Sequence, residues 1–180
     1  MDGSLIERIR GYATSRATSL PYATASEEAI GEAERGLGFP IPALLKACYL
    51  RVANGGFGPG YGIIGVEGGY ASDYGNLVET HGVLKRDQES EGREWPNGLL
   101  PFCEWGCNIF SCVDCHDTRH PVYTFEDFAV RPQGYTLDKF FELWMSGADI
   151  LAYEASEAER VEVTNPFTGK KETVSKHRRK

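Results

Sequence analysis

Residues Ser26 to Gly56 read SEEAIGEAERGLGFPIPALLKACYLRVANGG, and this stretch decides the fold. Ser26 is of the type that caps a helix N-terminus, and Glu27 and Glu28 fill the first turn, where the helix dipole favours acids. Ala29, Ile30, Ala33 and Leu37 recur at spacings of one, three and four, which gives a helix a single buried stripe. Gly36 or Gly38 can stop it, and Pro40 lies just beyond. A second helix is expected to start near Pro42, a residue suited to the first helical position. It runs through Ala43, Leu44, Leu45, Cys48, Tyr49 and Val52 and closes on Asn54-Gly55-Gly56, where positive φ costs little.

Outward from there, Leu5 to Tyr12 predicts a short opening helix and Thr14 to Thr24 a linker. Tyr61 to Val66 (YGIIGV) reads as a strand, Asn76 to Gln88 as a helix and Glu91 to Gly98 as a polar loop. Leu99 to Cys103, Asn108 to Val113 and Pro121 to Phe125 are short apolar runs separated by Gly, Asp and Pro, the pattern of a strand meander. Thr136 to Met145 (TLDKFFELWM) opens with a capping threonine and sets Leu137, Phe140, Phe141 and Trp144 on one helical face. The late run VEVTNPFTGKKETV has turn residues in its middle and reads as a hairpin-like excursion. Helices first, strands in the middle and a helix after them predict an α+β fold rather than an alternating α/β sheet.

The chain has 180 residues, 41% hydrophobic and 25% charged, which suits one domain with a proper core. That excludes a wholly disordered chain and a small disulfide-dependent scaffold. No apolar run reaches about 18 residues, so no membrane-spanning helix is expected. The start MDGSLIERIR lacks the basic-then-apolar pattern of a signal peptide, and the expected location is the cytoplasm.

The net charge of −7 is unevenly spread. Lys170 to Lys180 carries six Lys or Arg and one acid, whereas the remaining 169 residues hold 13 bases against 25 acids, a net of −12. Such a body repels phosphate backbones, so no direct nucleic-acid binding is expected, and it speeds association with a basic partner. Glu27, Glu28, Glu32 and Glu34 read as a solvated helix face. The basic tail reads as a frayed, solubilising end, with contact to nucleic acid as the other reading.

The five cysteines are the sharpest chemical feature. Four of them form Cys103-x3-Cys107-x4-Cys112-x2-Cys115, followed by His116 and His120. Zinc held by Cys112, Cys115 and His116 with Cys103 or Cys107 is one reading, but the two pairs lie closer than the usual loop of more than ten residues. The intervening NIFSCV also reads as a strand, which holds the pairs apart. The favoured reading is buried cysteines acting as small hydrophobes, with no metal or cofactor. Disulfides are disfavoured by the odd count and the lack of an export signal.

Cys112-Val-Asp-Cys115-His116 matches haem attachment on paper but lacks the helix and export that this chemistry needs. The glycines of Gly60-x-Gly62-x-x-Gly65 fall inside a strand-like run and not where a strand meets a helix, so they read as turn or bulge residues. His81, His116 and His120 are the candidate bases, with Asp114, Asp117 and Glu126 near them in sequence. No nucleophile elbow or HExxH accompanies them, and no enzyme is expected.

Taken in order, the acidic helix with GEAERGLGFPIP, the LLKACYLRVANGG helix, the strand YGIIGV, LLPFCEWGCNIFSCVD and PVYTFED resemble the SUKH superfamily. That group includes the yeast Smi/Knr cell-wall-synthesis regulators and many bacterial immunity proteins. Glu34, Leu37, Gly38, Pro42, Asn54, Gly55, Gly56, Pro101, Gly106, Asp114, Pro121, Val122 and Tyr123 occupy its recurrent positions, and the resemblance covers Ser26 to Trp144. It implies an antiparallel sheet of four to six strands flanked by helices, spanning residues 1–153, with a C-terminal extension at 154–180 and no catalytic centre. It also implies a cytoplasmic binding protein, most of all an immunity protein that neutralises a cognate and basic toxin domain such as a nuclease. A regulatory scaffold of the Smi/Knr type and a small zinc protein are the alternatives. Under this resemblance Cys103, Cys107 and Cys112 are core or sheet-face substitutions, and Cys115 with His116 is the pair left to check. Asn54, Gly55 and Gly56 are expected to shape a turn. The partner surface is expected on the strand-rich half, at Glu67, Asp73, Asp117 and Glu126.

Overall fold

The computed structural model describes residues 3–16, 20, 22–152, 162–164, 169 and 171–173. Helix α1 (Gly3–Arg16) leads into α2 (Glu27–Leu37) and α3 (Ala43–Arg51). Then come β1 (Gly62–Ile63), α4 (Leu77–Ser90), β2 (Leu99–Gly106), β3 (Ile109–Asp114), β4 (Pro121–Glu126), β5 (Ala129–Thr136) and α5 (Leu137–Ser146). Two short strands, β6 (Glu162–Thr164) and β7 (Lys171–Thr173), pair antiparallel beyond them, and β6 lies against β5. The main sheet is an antiparallel meander in the order β1-β2-β3-β4-β5, so the fold is α+β.

Local chemistry explains most of these elements. Ser26 caps α2 by accepting from the Ala29 N–H at 3.1 Å, and α2 closes on Gly38 in the left-handed region at φ 81°. Glu34 then ties α2 to α3. Its Oε1 accepts from the Ile41 N–H at 2.8 Å and lies 3.0 Å from Lys46 Nζ. Asn76 and Glu79 form a capping box on α4. Strands β2, β3 and β4 are buried at both odd and even positions, so helices cover both faces of the sheet. Phe102 of β2 meets Phe140 of α5 at 4.9 Å, while α1 packs on both α3 and α5. On the α4 side a run of rings connects Phe39, His81, Trp95 and Phe125.

Several expectations need correction. The opening helix runs on to Arg16, into the segment read as a linker, and residues 17–19 and 21 lie outside the described ones. Pro42 is the N-cap of α3, one place before the first helical residue. Within the YGIIGV run the strand is only Gly62–Ile63, flanked by the Tyr61 and Ile64 N–H groups that also donate to β2 carbonyls, because Gly65 and Val66 turn away to bond Tyr70 and Asn54. Residues Glu91 to Gly98 form a loop that is not simply polar, since Trp95 is buried and its Nε1 donates to the Leu99 carbonyl at 3.0 Å. Strand β5 is absent from the reading because Pro132 and Gly134 look like breakers. An edge strand tolerates both. The Thr136 hydroxyl bonds the Asp138 carboxylate and leaves the α5 backbone uncapped. The expected late hairpin is present as β6 and β7, with most of its turn outside the described residues.

The turn after α3 is held by one side chain. Asn54 is 4% exposed; its Oδ1 accepts from the Val66 N–H at 2.9 Å, and its Nδ2 donates to the Val66 and Glu67 carbonyls at 3.3 and 3.1 Å. Its main chain accepts from the Tyr70 N–H and donates to the Ala23 carbonyl. Gly69 is pressed against this residue so closely that any Cβ would collide with it. Gly55, at φ 77°, leaves no room either, with Ile63 O and Gly65 N only 2.6 Å from where a Cβ would stand.

Asn54→Ala strands the buried Val66 N–H and the half-buried Glu67 carbonyl, while the Val66 carbonyl keeps its bond from the Gly69 N–H, so it should lower unfolding free energy by about 3 kcal/mol in a urea titration. An unchanged midpoint would show that the turn holds without the carboxamide.

Candidate partner-binding site

The Asn54 turn delivers a loop, residues 66–75, over the end of the sheet. Tyr70 is fixed by its N–H to the Asn54 carbonyl and by its own carbonyl accepting from Gly65 at 2.7 Å. Ser72 and Gly75 bond each other through their backbones, and Ser72 Oγ lies 2.7 Å from Thr80 Oγ1 of α4, which pins the tip carrying Asp73 and Tyr74. The Tyr74 hydroxyl donates to Asn108 Oδ1 at 3.2 Å, and its ring lies 5.9 Å from Phe110. The loop is thereby fastened to the β2–β3 hairpin.

Under this loop sits Glu104, opposite Phe110 in the β2–β3 register and 4% exposed. Its carboxylate accepts from the Tyr70 hydroxyl at 3.3 Å and from the Asp73 backbone N–H. Burial pushes its pKa up and the nearby Asp73 charge adds to that, while the two hydrogen bonds pull it back down. The Tyr70 hydroxyl is pushed up to about 12, by burial first and then by Glu104. The Tyr70 ring meets Tyr22 edge-on at 6.1 Å. The stretches 52–84 and 94–118 contain no Lys or Arg. Among the described residues Glu67, Asp73 and Glu104 form no ion pair.

The four acids expected to face a partner do not form one group. Glu67 and Asp73 are exposed on the 66–75 loop, with Glu67 Oε2 accepting from Asn76 Nδ2 at 2.9 Å. Asp117 lies before β4 and is held by Arg119 at 2.7 Å, and that hydrogen bonding keeps its carboxyl below the usual range. Glu126 ends β4 and pairs with Arg131 of β5 at 3.0 Å. Both are already neutralised by arginines. Glu104 was missed by the reading, although an acid inside the apolar run LLPFCEWG is a visible anomaly.

The residues that carried the resemblance serve the scaffold. Glu34, Gly38 and Pro42 shape the α2–α3 turn. Asp114 Oδ1 accepts from the His116 and Asp117 N–H groups at 2.8 and 3.2 Å, turning the chain toward Pro121 at the start of β4. Tyr123 is in the core, and Gly55 and Gly56 take positive φ beside Asn54.

The cysteines are dispersed. Cys48, Cys103, Cys112 and Cys115 are buried, and burial pushes their thiols up, Cys48 to about 12. Cys107 is exposed in the β2–β3 turn, where it and Asn108 both have positive φ. Among the described residues no three His, Cys, Asp or Glu side chains come together to hold a metal ion, so the zinc set is not assembled. Cys115 Sγ lies 3.8 Å from the Val113 carbonyl, while the His116 ring is turned to Phe39 at 5.9 Å. His120 Nδ1 is 3.3 Å from the Asp114 carbonyl, and His81 sits between Phe39 and Trp95. His81 and His116 thus flank the same Phe39 ring, while His120 is held at the Asp114 carbonyl.

An antiparallel meander with helices on both faces, a fastened acidic loop at one end and buried thiols elsewhere defines an α+β domain. A family model described as SMI1 / KNR4 family (SUKH-1) matches residues 24–146, and the chain belongs to that family. No curated protein matches the sequence significantly. Among the described residues no helix is long and apolar enough to cross a membrane.

Two predictions follow from these surroundings. A thiol reagent should modify Cys107 rapidly in the native protein and the other four cysteines only on unfolding, with no change on adding a zinc chelator. Chelator-dependent exposure of further thiols would restore the metal reading. Burial, with Lys85 assisting, holds His81 at about 4, below its ordinary value of 6.5. The unfolded chain then binds a proton that the folded one refuses, so His81's contribution is full above pH 6.5 and is lost as pH falls toward 4. His81→Phe should flatten the stability–pH curve in that window, and superimposable curves would show that His81 does not titrate there.

Proposed function

We propose that this protein is a non-catalytic, immunity-type binding protein that acts in the cytoplasm by occupying a basic toxin domain one to one. The observation that carries this reading is the SUKH-1 match over residues 24–146 on a body of net charge −12. Members of the superfamily are commonly immunity proteins, and toxin domains such as nucleases are basic where they hold phosphate. Buried thiols with raised pKa values and a His81 held neutral between aromatic rings support a binding role over chemistry. On this reading residues 154–180 are an extension of the binding domain.

The test is a titration against the toxin-like domain encoded beside this gene, at low and moderate salt. Tight one-to-one binding that suppresses the toxin's activity, with association slowed by salt, is the expected result. Failure to bind that product, together with several cellular partners in its place, would favour a regulatory scaffold.

A further inference from the structure

We infer that Tyr22, Tyr70, Asp73 and Glu104 form the seat, a notch once the Tyr70 ring swings aside, for one arginine side chain presented by a loop of a basic protein partner. The inference rests on the proposed function and names the surface that does the binding.

Three observations converge on a guanidinium. First, Glu104 is 96% covered yet among the described residues has no cation beside it, and a buried carboxylate without a counter-charge is costly. A carboxylate has about four acceptor positions, of which the Tyr70 hydroxyl and the Asp73 N–H use two. The two that remain match the paired N–H groups of an arginine fork. Secondly, the walls are aromatic: the edge-on Tyr22–Tyr70 pair supplies ring faces on which a planar cation stacks, and tyrosine is among the residues that anchor interfaces. Thirdly, the chain segments around the notch, 52–84 and 94–118, contain no Lys or Arg, so the exposed Asp73 and Glu67 add negative field with no cation of their own. Complementary charge is therefore left for the partner to bring, which sets on-rate and register.

The piece that gives way is Tyr70. Its hydroxyl bond to Glu104 is long at 3.3 Å and its ring is only half-buried. An entering guanidinium exchanges that weak phenol bond for two charge-assisted ones. Neighbouring anchors hold the rest of the notch in place, since Asp73 is fixed by Ser72, Gly75 and Thr80. By contrast Asp117 and Glu126 already hold arginines of this chain and offer no comparable seat.

Ethylguanidinium, the head of an arginine side chain, is the probe, added at millimolar concentration and followed by amide NMR. Saturable shifts confined to Tyr70, Asp73 and Glu104 are expected, weakened about tenfold or more in Glu104→Gln. Ethylammonium should bind more weakly than ethylguanidinium; equal binding would overturn the assignment to arginine. Shifts that rise without saturation over every acidic residue, or that survive Glu104→Gln, would overturn the notch. Glu104→Gln removes a buried charge and should fold at least as stably as the parent at neutral pH, which a melting curve checks; Asp73→Asn, an exposed change, supplies a second variant. The same variants titrated with the neighbouring toxin domain separate the two readings. Equal binding by parent and Glu104→Gln overturns the notch and leaves the immunity reading standing. Saturation by ethylguanidinium with no toxin binding retains the notch and removes that reading.

Discussion

One buried carboxamide sets the geometry on which the rest depends. Asn54 ends the α3 segment, and through its side chain and main chain it touches Ala23, Val66, Glu67 and Tyr70. A buried polar group of this kind is favourable only when it is fully satisfied, and here nearly every donor and acceptor has a partner. No apolar residue could replace that pattern, because the facing groups are backbone and would be left unpaired. The cost of the arrangement appears in its neighbours, where Gly55 and Gly69 leave no space for a side chain. The 66–75 loop is therefore rigidly referenced to α3 although it lies at the far edge of the sheet.

That constraint connects fold to site. Tyr49 of α3 adds a second tether, its hydroxyl donating to the Ile64 carbonyl at 2.7 Å. With Asn54 and Tyr49 fixing the chain on one side and Ser72 with Thr80 fixing it on the other, the backbones of Asp73 and Tyr70 are held at set positions over Glu104. Preorganisation of this sort lowers the ordering cost of association, since few rotamers remain to be frozen when a partner arrives.

Periodic signals were legible in the sequence, and contacts between distant segments were not. Ser26, the stripe through Leu37 and the Phe140–Phe141 face announced their helices because cap and stripe are local properties. The meander was readable from three apolar runs, whereas β5 was hidden because Pro132 is tolerable only at an edge, and edge position is a fact of the whole sheet. The same distinction divides the site. Glu67 and Asp73 were picked out as acids on loops, but so were Asp117 and Glu126, and only the fold reveals the arginines beside the latter two. Glu104 stands just past the run read as Leu99 to Cys103, and its significance depends on Tyr70, 34 residues earlier in the chain.

The residues by which the family is recognised and the residues proposed to bind lie in different chemical roles. Glu34, Asn54 and Asp114 each satisfy backbone N–H groups at a turn, so replacing any of them leaves unpaired groups and costs stability. Glu104 also accepts a backbone N–H, that of Asp73, but differs from them in its burial and charge. Its carboxylate is buried with no cation beside it among the described residues, so the free protein would gain by losing the charge, and on the proposed reading the charge becomes favourable when a partner supplies its complement. The side chains of Tyr22, Tyr70 and Asp73 can change without disturbing the turn that presents them, since Tyr70 is bonded to that turn by backbone and the Asp73 backbone N–H is held by Glu104. A scaffold whose recognition residues are separable from its structural ones can keep its fold while its partner changes. In such a scaffold an acid that destabilises the free state marks the surface where binding energy is concentrated.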